Sequence, residues 1–128
     1  MKNKLEINVK LYRLHVLIFW EVKIETIVRH AKKRRCSISD QWVTDISEDV
    51  KIASGVCARL GDDNTDIMVW LKKRPKTAGE FGVLYHELFH AVDYITESHN
   101  LADEKEARAF LYEFLANECN QYFWRKRP

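Results

Sequence analysis

Thr77-Ala78-Gly79-Glu80-Phe81-Gly82-Val83-Leu84-Tyr85-His86-Glu87-Leu88-Phe89-His90 is the stretch from which the rest of the chain is best read. Its opening Thr-x-x-Glu has the form of a capping box, in which the Thr hydroxyl accepts from the third backbone N–H and the Glu carboxylate answers the Thr N–H. That predicts a helix starting near Thr77. Phe81, Leu84, Tyr85, Leu88, Ala91, Val92 and Ile95 give the helix one apolar face and carry it to about Ser98. His86 and His90 stand on a different face. At about 100° per residue, positions four apart lie roughly 40° apart in projection and one turn apart along the axis, so both imidazoles can reach one ion. Glu87 lies about 100° round from His86, an awkward third ligand but within reach of water beside such an ion, where a general base belongs.

Toward the amino terminus, Pro75 closes a region of strands. Ile52 to Leu60 and Asp66 to Leu71 read as strands flanking the turn-rich Gly61-Asp62-Asp63-Asn64, the clearest hairpin in the sequence. Leu5, Ile7, Val9 and Leu11 alternate with Glu6, Asn8 and Lys10, the period of a half-buried strand. Leu14 to Trp20 is almost continuously apolar, which predicts a strand buried on both faces, and Tyr12-Arg13 would join the two in a hairpin that lacks Gly or Asn at its turn. Glu21 to Arg35 has near-helical spacing and ends in Lys32-Lys33-Arg34-Arg35, which complements a helix C-terminus. Ser37 to Val50 shows polar turn chemistry and little period. Toward the carboxyl terminus, a break at His99-Asn100 precedes a helix from about Asp103 to Arg125, with Leu111, Leu115, Cys119 and Tyr122 on one face. The order of elements defines an α+β fold, a small, twisted, mainly antiparallel sheet packed on helices.

Composition bounds the reading from outside. The 128 residues suit one domain, residues 1–128, better than two, since two cores of half that size would each be marginal. With 46% hydrophobic and 31% charged residues, four Gly and two Pro, collagen-like and disordered chains are excluded. A net charge of +2 does not by itself imply a nucleic-acid or membrane partner. Cys36, Cys57 and Cys119 are odd in number and widely spaced, which fits a reducing compartment and no Cys-x-x-Cys metal half-site. No stretch reaches the roughly 20 apolar residues of a membrane span. The run Val16 to Trp20 also lacks the length and cleavage site of a signal peptide.

His86-Glu87-Leu88-Phe89-His90 is the His-Glu-x-x-His pattern associated with zinc ligation. A catalytic zinc takes three protein ligands and keeps a fourth position open. Metzincins place Gly three and His six residues after the second His; here those positions are Asp93 and Thr96, which eliminates that option. Carboxylates in Asp103-Glu104-Lys105-Glu106-Ala107-Arg108-Ala109-Phe110 are the leading source of a third ligand. The fifteen residues between His90 and Glu106 let the first helix finish, turn near Asn100 and present the next helix's first turn back toward the imidazoles. Glu106 can instead complete a capping box with Asp103 or sit on a solvated face. Glu104 is its nearest rival, and Asp93 and Glu97 compete because both fall within about 20° of His86 in projection. Asp93 also suits hydrogen bonding to an imidazole N–H, which would fix its tautomer.

Glu106-Ala107-Arg108-Ala109-Phe110, following His-Glu-x-x-His at this distance, resembles the Glu-Ala-x-Ala-Phe/Tyr of compact gluzincin-like metallopeptidases, including the ImmA/IrrE peptidases and small phage-encoded zincin-like proteins. The resemblance covers about residues 66 to 115 and leaves the first 50 residues unmatched. It implies a minimal zincin-like fold with Zn2+ as cofactor, held by His86, His90 and Glu106. It further implies a hydrolase that cleaves peptide bonds with Glu87 as general base, acting on a peptide or protein in the cytoplasm of a bacterium or a phage-infected cell. It also places the Asp66 to Leu71 strand where zincins have an edge strand, whose unpaired backbone groups would hold an extended substrate. No residue stands out as an oxyanion stabiliser; Tyr85, Tyr94 and Tyr112 are near in sequence. A chain this short has nothing left for a second lobe, so either the cleft is shallow or a homodimer partner completes it. The alternative is a non-catalytic zincin-like binding protein contacting nucleic acid through Arg29, His30, Lys32 to Arg35 and Trp124-Arg125-Lys126-Arg127. Basic residues at helix C-termini and tails are ordinary, so a nucleic-acid partner is not expected.

Overall fold

The computed structural model describes residues 3–62 and 65–125. Two strands come first, β1 (Lys4–Val9) and β2 (Leu14–Trp20), followed by helices α1 (Ile24–Lys33) and α2 (Asp40–Ile52). Strands β3 (Gly55–Arg59) and β4 (Ile67–Leu71) then lead into helices α3 (Ala78–Ser98) and α4 (Lys105–Arg125). The fold is α+β, with one four-stranded mixed sheet in the order β1-β2-β4-β3. Two of its ladders are antiparallel, β1 with β2 and β3 with β4, while β2 and β4 run parallel.

The parallel pair lies at the centre, and its composition explains why. Every residue of β4 is buried, and in β2 only His15 is not. Central strands covered on both faces need continuous apolar sequence rather than alternation. Helices α3 and α4 cover one face, closing a core with Val16, Ile18, Trp20, Val69 and Leu71. The other face packs Leu17, Phe19, Met68 and Trp70 against Ile27 and Ala31 of α1 and Ile46 of α2.

Where the elements differ from the sequence reading, local chemistry gives the reason. β1 stops at Val9 because Lys10–Tyr12 form a 3-10 turn ended by Arg13 in the left-handed region, φ 55°, whose N–H donates to the Lys10 carbonyl. Leu11 is therefore left 77% exposed on the turn. The segment read as turns is mostly α2, which starts where the Ser39 hydroxyl accepts from the Trp42 N–H. Trp42, Ile46 and Val50, four residues apart, turn one face of this helix to the core, a helical spacing that the surrounding Ser, Asp and Thr obscure. Ile52 ends α2 rather than opening β3, and Asp63 and Asn64 of the expected hairpin turn lie outside the described residues.

The expected cap at Thr77 is present: Glu80 N–H donates to Thr77 Oγ1 at 3.2 Å and Thr77 N–H to Glu80 Oε1 at 3.1 Å. At the far end of α3, Asn100 adopts φ 57° while the Leu101 N–H reaches back to the Thr96 carbonyl at 2.7 Å and Asn100 N–H to Glu97. This is a left-handed helix stop with Asn in the place that Gly usually takes. It turns the chain so that α4 returns along α3. Among the described residues, no helix is long and apolar enough to cross a membrane.

Candidate metal centre

Helix α3 presents three kinds of surface. Leu84, Leu88, Ala91 and Ile95 face the sheet, fully buried, whereas His86 and His90 are exposed on the outer side. The two imidazoles converge, with Nε2 to Nε2 at 3.2 Å and ring centroids 4.8 Å apart at a steep angle. Glu87 points toward β3 and is only 6% exposed. The ligand atoms of His86, Glu87 and His90 all lie within 4.8 Å of one another, a group able to hold a metal ion.

Glycine makes the approach of Glu87 to the sheet feasible. A Cβ on Gly55, the first residue of β3, would sit 2.8 Å from Val83 Cγ1 and 3.0 Å from Glu87 Oε2, too close for any side chain without displacement. The sequence carried that signal, since Gly inside a strand often marks close approach of another group. Among the described residues no hydrogen-bond donor answers the Glu87 carboxylate, although the shallow groove of about 400 Å3 that it lines with Val83 and His86 exposes it to solvent. Burial raises its pKa above the ordinary carboxylate range, and the positive charge of His86 and His90 opposes that shift. A cation at the imidazoles would press it further toward the ionised form.

The remaining candidate residues are placed differently. Asp93 accepts from Arg108 Nη2 of α4, and Arg108 Nη1 donates to Thr96 Oγ1 at 3.0 Å. The Arg108 guanidinium also lies 5.7 Å from the Phe89 ring centroid. Sequence reasoning passed over Arg108, yet it fixes the start of α4 against α3. Glu106 is in the first turn of α4 and exposed; Glu104 just before that helix and Glu97 in the last turn of α3 are exposed as well. None of these four carboxylates belongs to the group whose ligand atoms converge. Tyr85 donates to Asn120 of α4, and the Tyr112 hydroxyl donates to the Tyr85 carbonyl at 3.4 Å, so both are engaged in helix packing.

One expectation is corrected. The strand Asp66 to Leu71 is not an edge: β4 is paired with β2 on one side and β3 on the other. The free edge beside α3 belongs to β3, which lies outside the parallel pair. Its polarity follows from the ladder, in which Lys72 N–H donates to the Ser54 carbonyl and Leu60 N–H to that of Asp66. Alternation in an antiparallel pair then turns the N–H and C=O groups of Gly55, Cys57 and Arg59 outward. The Arg59 carbonyl is taken by Trp42 Nε1 at 3.0 Å, which closes that end of the edge. Cys57, between them, is a largely buried thiol whose pKa is pushed far up by burial and by the charges of Glu87 and Asp93, so it stays protonated. The three cysteines form no disulfide.

In the first basic segment Arg29, Lys32, Lys33 and Arg35 are exposed, while Arg34 and His30 are engaged in the fold. Arg34 is held by Glu6 and by Asp66 Oδ2, the latter at 2.8 Å, and His30 packs edge-on against Phe19. Lys126 and Arg127 lie outside the described residues. Comparison with known families, with curated proteins and with solved structures finds no match for this chain.

Proposed function

We propose that this chain is a zinc-dependent hydrolase, a metallopeptidase that uses His86 and His90 as ligands and Glu87 as general base. The observation that carries the reading is the 3.2 Å separation of the two Nε2 atoms. Two nitrogens bound to one tetrahedral zinc at about 2.05 Å each lie about 3.3 Å apart, so these imidazoles already stand at the spacing of a shared ion. The Glu87 carboxylate beside them supports it, since no donor among the described residues engages it and it opens onto the same groove as His86. Glu106, carried over from the resemblance, is the proposed third ligand.

Zinc bound there supplies Lewis acidity, polarising a carbonyl and making water easier to deprotonate. Glu87 takes the proton from the attacking water on a carboxylate oxygen and passes it to the leaving amine nitrogen. Packed against β3, the carboxylate is partly desolvated, which raises its pKa and makes it a better base. The outward N–H and C=O groups of Gly55 and Cys57 hold the substrate as an added strand, with its backbone against β3 and its scissile bond beside α3. Glu87→Gln tests the assignment: purified protein carrying it keeps its metal and loses hydrolysis of a mixed peptide substrate. Hydrolysis that survives this change would remove Glu87 from the mechanism.

A further inference from the structure

The groove beside the imidazoles has a second, chemically distinct end. The hollow that His86 and Glu87 line shares Ser54, Gly79 and Val83 with a neighbouring hollow of about 330 Å3, so the two are continuous. The neighbouring hollow is bounded by Lys72 and Lys73, both exposed, at the start of Lys72-Lys73-Arg74-Pro75-Lys76, where four of five residues are basic. Arg74 is turned away, with its guanidinium 5.5 Å from the Trp20 ring and 5.2 Å from that of Phe123. Glu80 is the one carboxylate among the described residues lining this end, and it is engaged at the start of α3, accepting from the N–H groups of Thr77 and Lys76. Its charge offsets the positive end of the helix dipole. Glu80 also feels the charge of Lys73, but one carboxylate set against two lysines leaves this end of the groove net positive.

We infer that the peptide taken by this groove carries an acidic side chain at the position facing Lys72 and Lys73, an inference that rests on reading the groove as the peptide site proposed above. A peptide fits better than a nucleic acid. The outward backbone of Gly55 offers both a donor and an acceptor, which an extended peptide matches and a phosphodiester chain, an acceptor only, does not. Glu87 in the same groove would also repel a run of phosphates. An acidic side chain satisfies the lysines without bringing charge along its whole length.

The test is binding of fluorescent peptides to the full chain carrying Glu87→Gln, which prevents turnover. The peptides share a neutral centre and carry two Glu, two Gln or two Lys on one flank at a time. At low salt the Glu-flanked peptide binds about tenfold more tightly than the Lys-flanked one, for the one flank that faces the lysines, and the difference shrinks as salt screens the charges. Adding Lys72→Glu and Lys73→Glu reverses the order; Lys72→Ala with Lys73→Ala abolishes the preference and serves if the reversal perturbs folding. Equal affinities, no binding of any peptide, or an order unchanged in both double variants overturns the inference. So does an oligonucleotide that binds more tightly than the Glu-flanked peptide and is released by the same lysine changes. If the order holds but the unsubstituted protein cleaves none of these peptides, the hydrolytic reading falls while the groove assignment stands. Cleavage of all of them without any binding preference means the opposite.

Discussion

Two regions of this molecule press carboxylates against the sheet, and they treat them in opposite ways. On the α1 side, Asp66 is surrounded by partners: Oδ1 accepts from the His15 N–H at 2.8 Å and Oδ2 from Arg34 at 2.8 Å, while Arg34 also reaches Glu6. On the α3 side, Glu87 is buried to a similar degree, 6% against 9% exposed, and no donor among the described residues answers it. A carboxylate held by donors anchors structure; one that meets only solvent in a groove is available to a ligand. The first carboxylate ties β2 to α1, and under the proposed function the second is left to act on water.

The comparison is sharpened most by exchanging the two carboxylates' fates. Glu87→Gln should cost at least about a hundredfold in hydrolysis while leaving thermal stability nearly unchanged, since no donor in the fold depends on the carboxylate. Asp66→Ala should do the reverse, costing about 2–4 kcal/mol in denaturant unfolding because Arg34 is left without its buried partner, with metal content retained. Were both variants to lose stability equally with activity intact, the distinction would fail. Gly55→Val forces a side chain into Val83 and Glu87; a loss of about 1–3 kcal/mol is expected, together with reduced hydrolysis, and unfolding and rate measurements on one preparation check both. Arg108→Ala removes the tie between α4 and the end of α3 at a cost of about 1 kcal/mol. If Glu106 is a ligand, the same change lowers metal affinity in a chelator competition.

The smallest effect concerns pH. His30 is held below the ordinary imidazole range, first by burial and then by the positive charges of Lys4 and Arg34. Between about 6.5 and that lowered value the unfolded chain binds more protons than the folded one, so stability is full above about pH 6.5 and declines as pH falls through this interval. His30→Gln should flatten that part of the stability profile, read by denaturant midpoints across pH 5 to 7. A profile unchanged by the substitution would show that this imidazole does not titrate against the fold.

The α3 side was the more legible of the two in the sequence. The capping box, the apolar stripe and the two imidazoles four residues apart all follow from helix periodicity, which acts within a few residues. The doubly buried β2 was readable for a similar reason, a run with no polar interruption. What sequence could not supply were relations between distant segments. That β3 rather than β4 forms the edge depends on β2 pairing in parallel with β4, across nearly fifty residues that include two helices. The tie from Arg108 to Asp93 likewise depends on how α4 packs back on α3. Helix α2 was missed for a different cause: Trp42, Ile46 and Val50 stand at helical spacing and pack into the core, but the polar Ser, Asp and Thr among them read as turn chemistry.

The central claim is that the converging imidazoles hold zinc beside an unanswered carboxylate. Metal analysis of the purified chain tests it most directly, with Glu87→Gln and a His86→Ala, His90→Ala double variant prepared in parallel. The account predicts about one zinc per chain in the first two proteins and none in the double variant, which should still fold because both imidazoles lie on the exposed face of α3. A natively purified chain that holds no zinc and takes up none when it is supplied would contradict it.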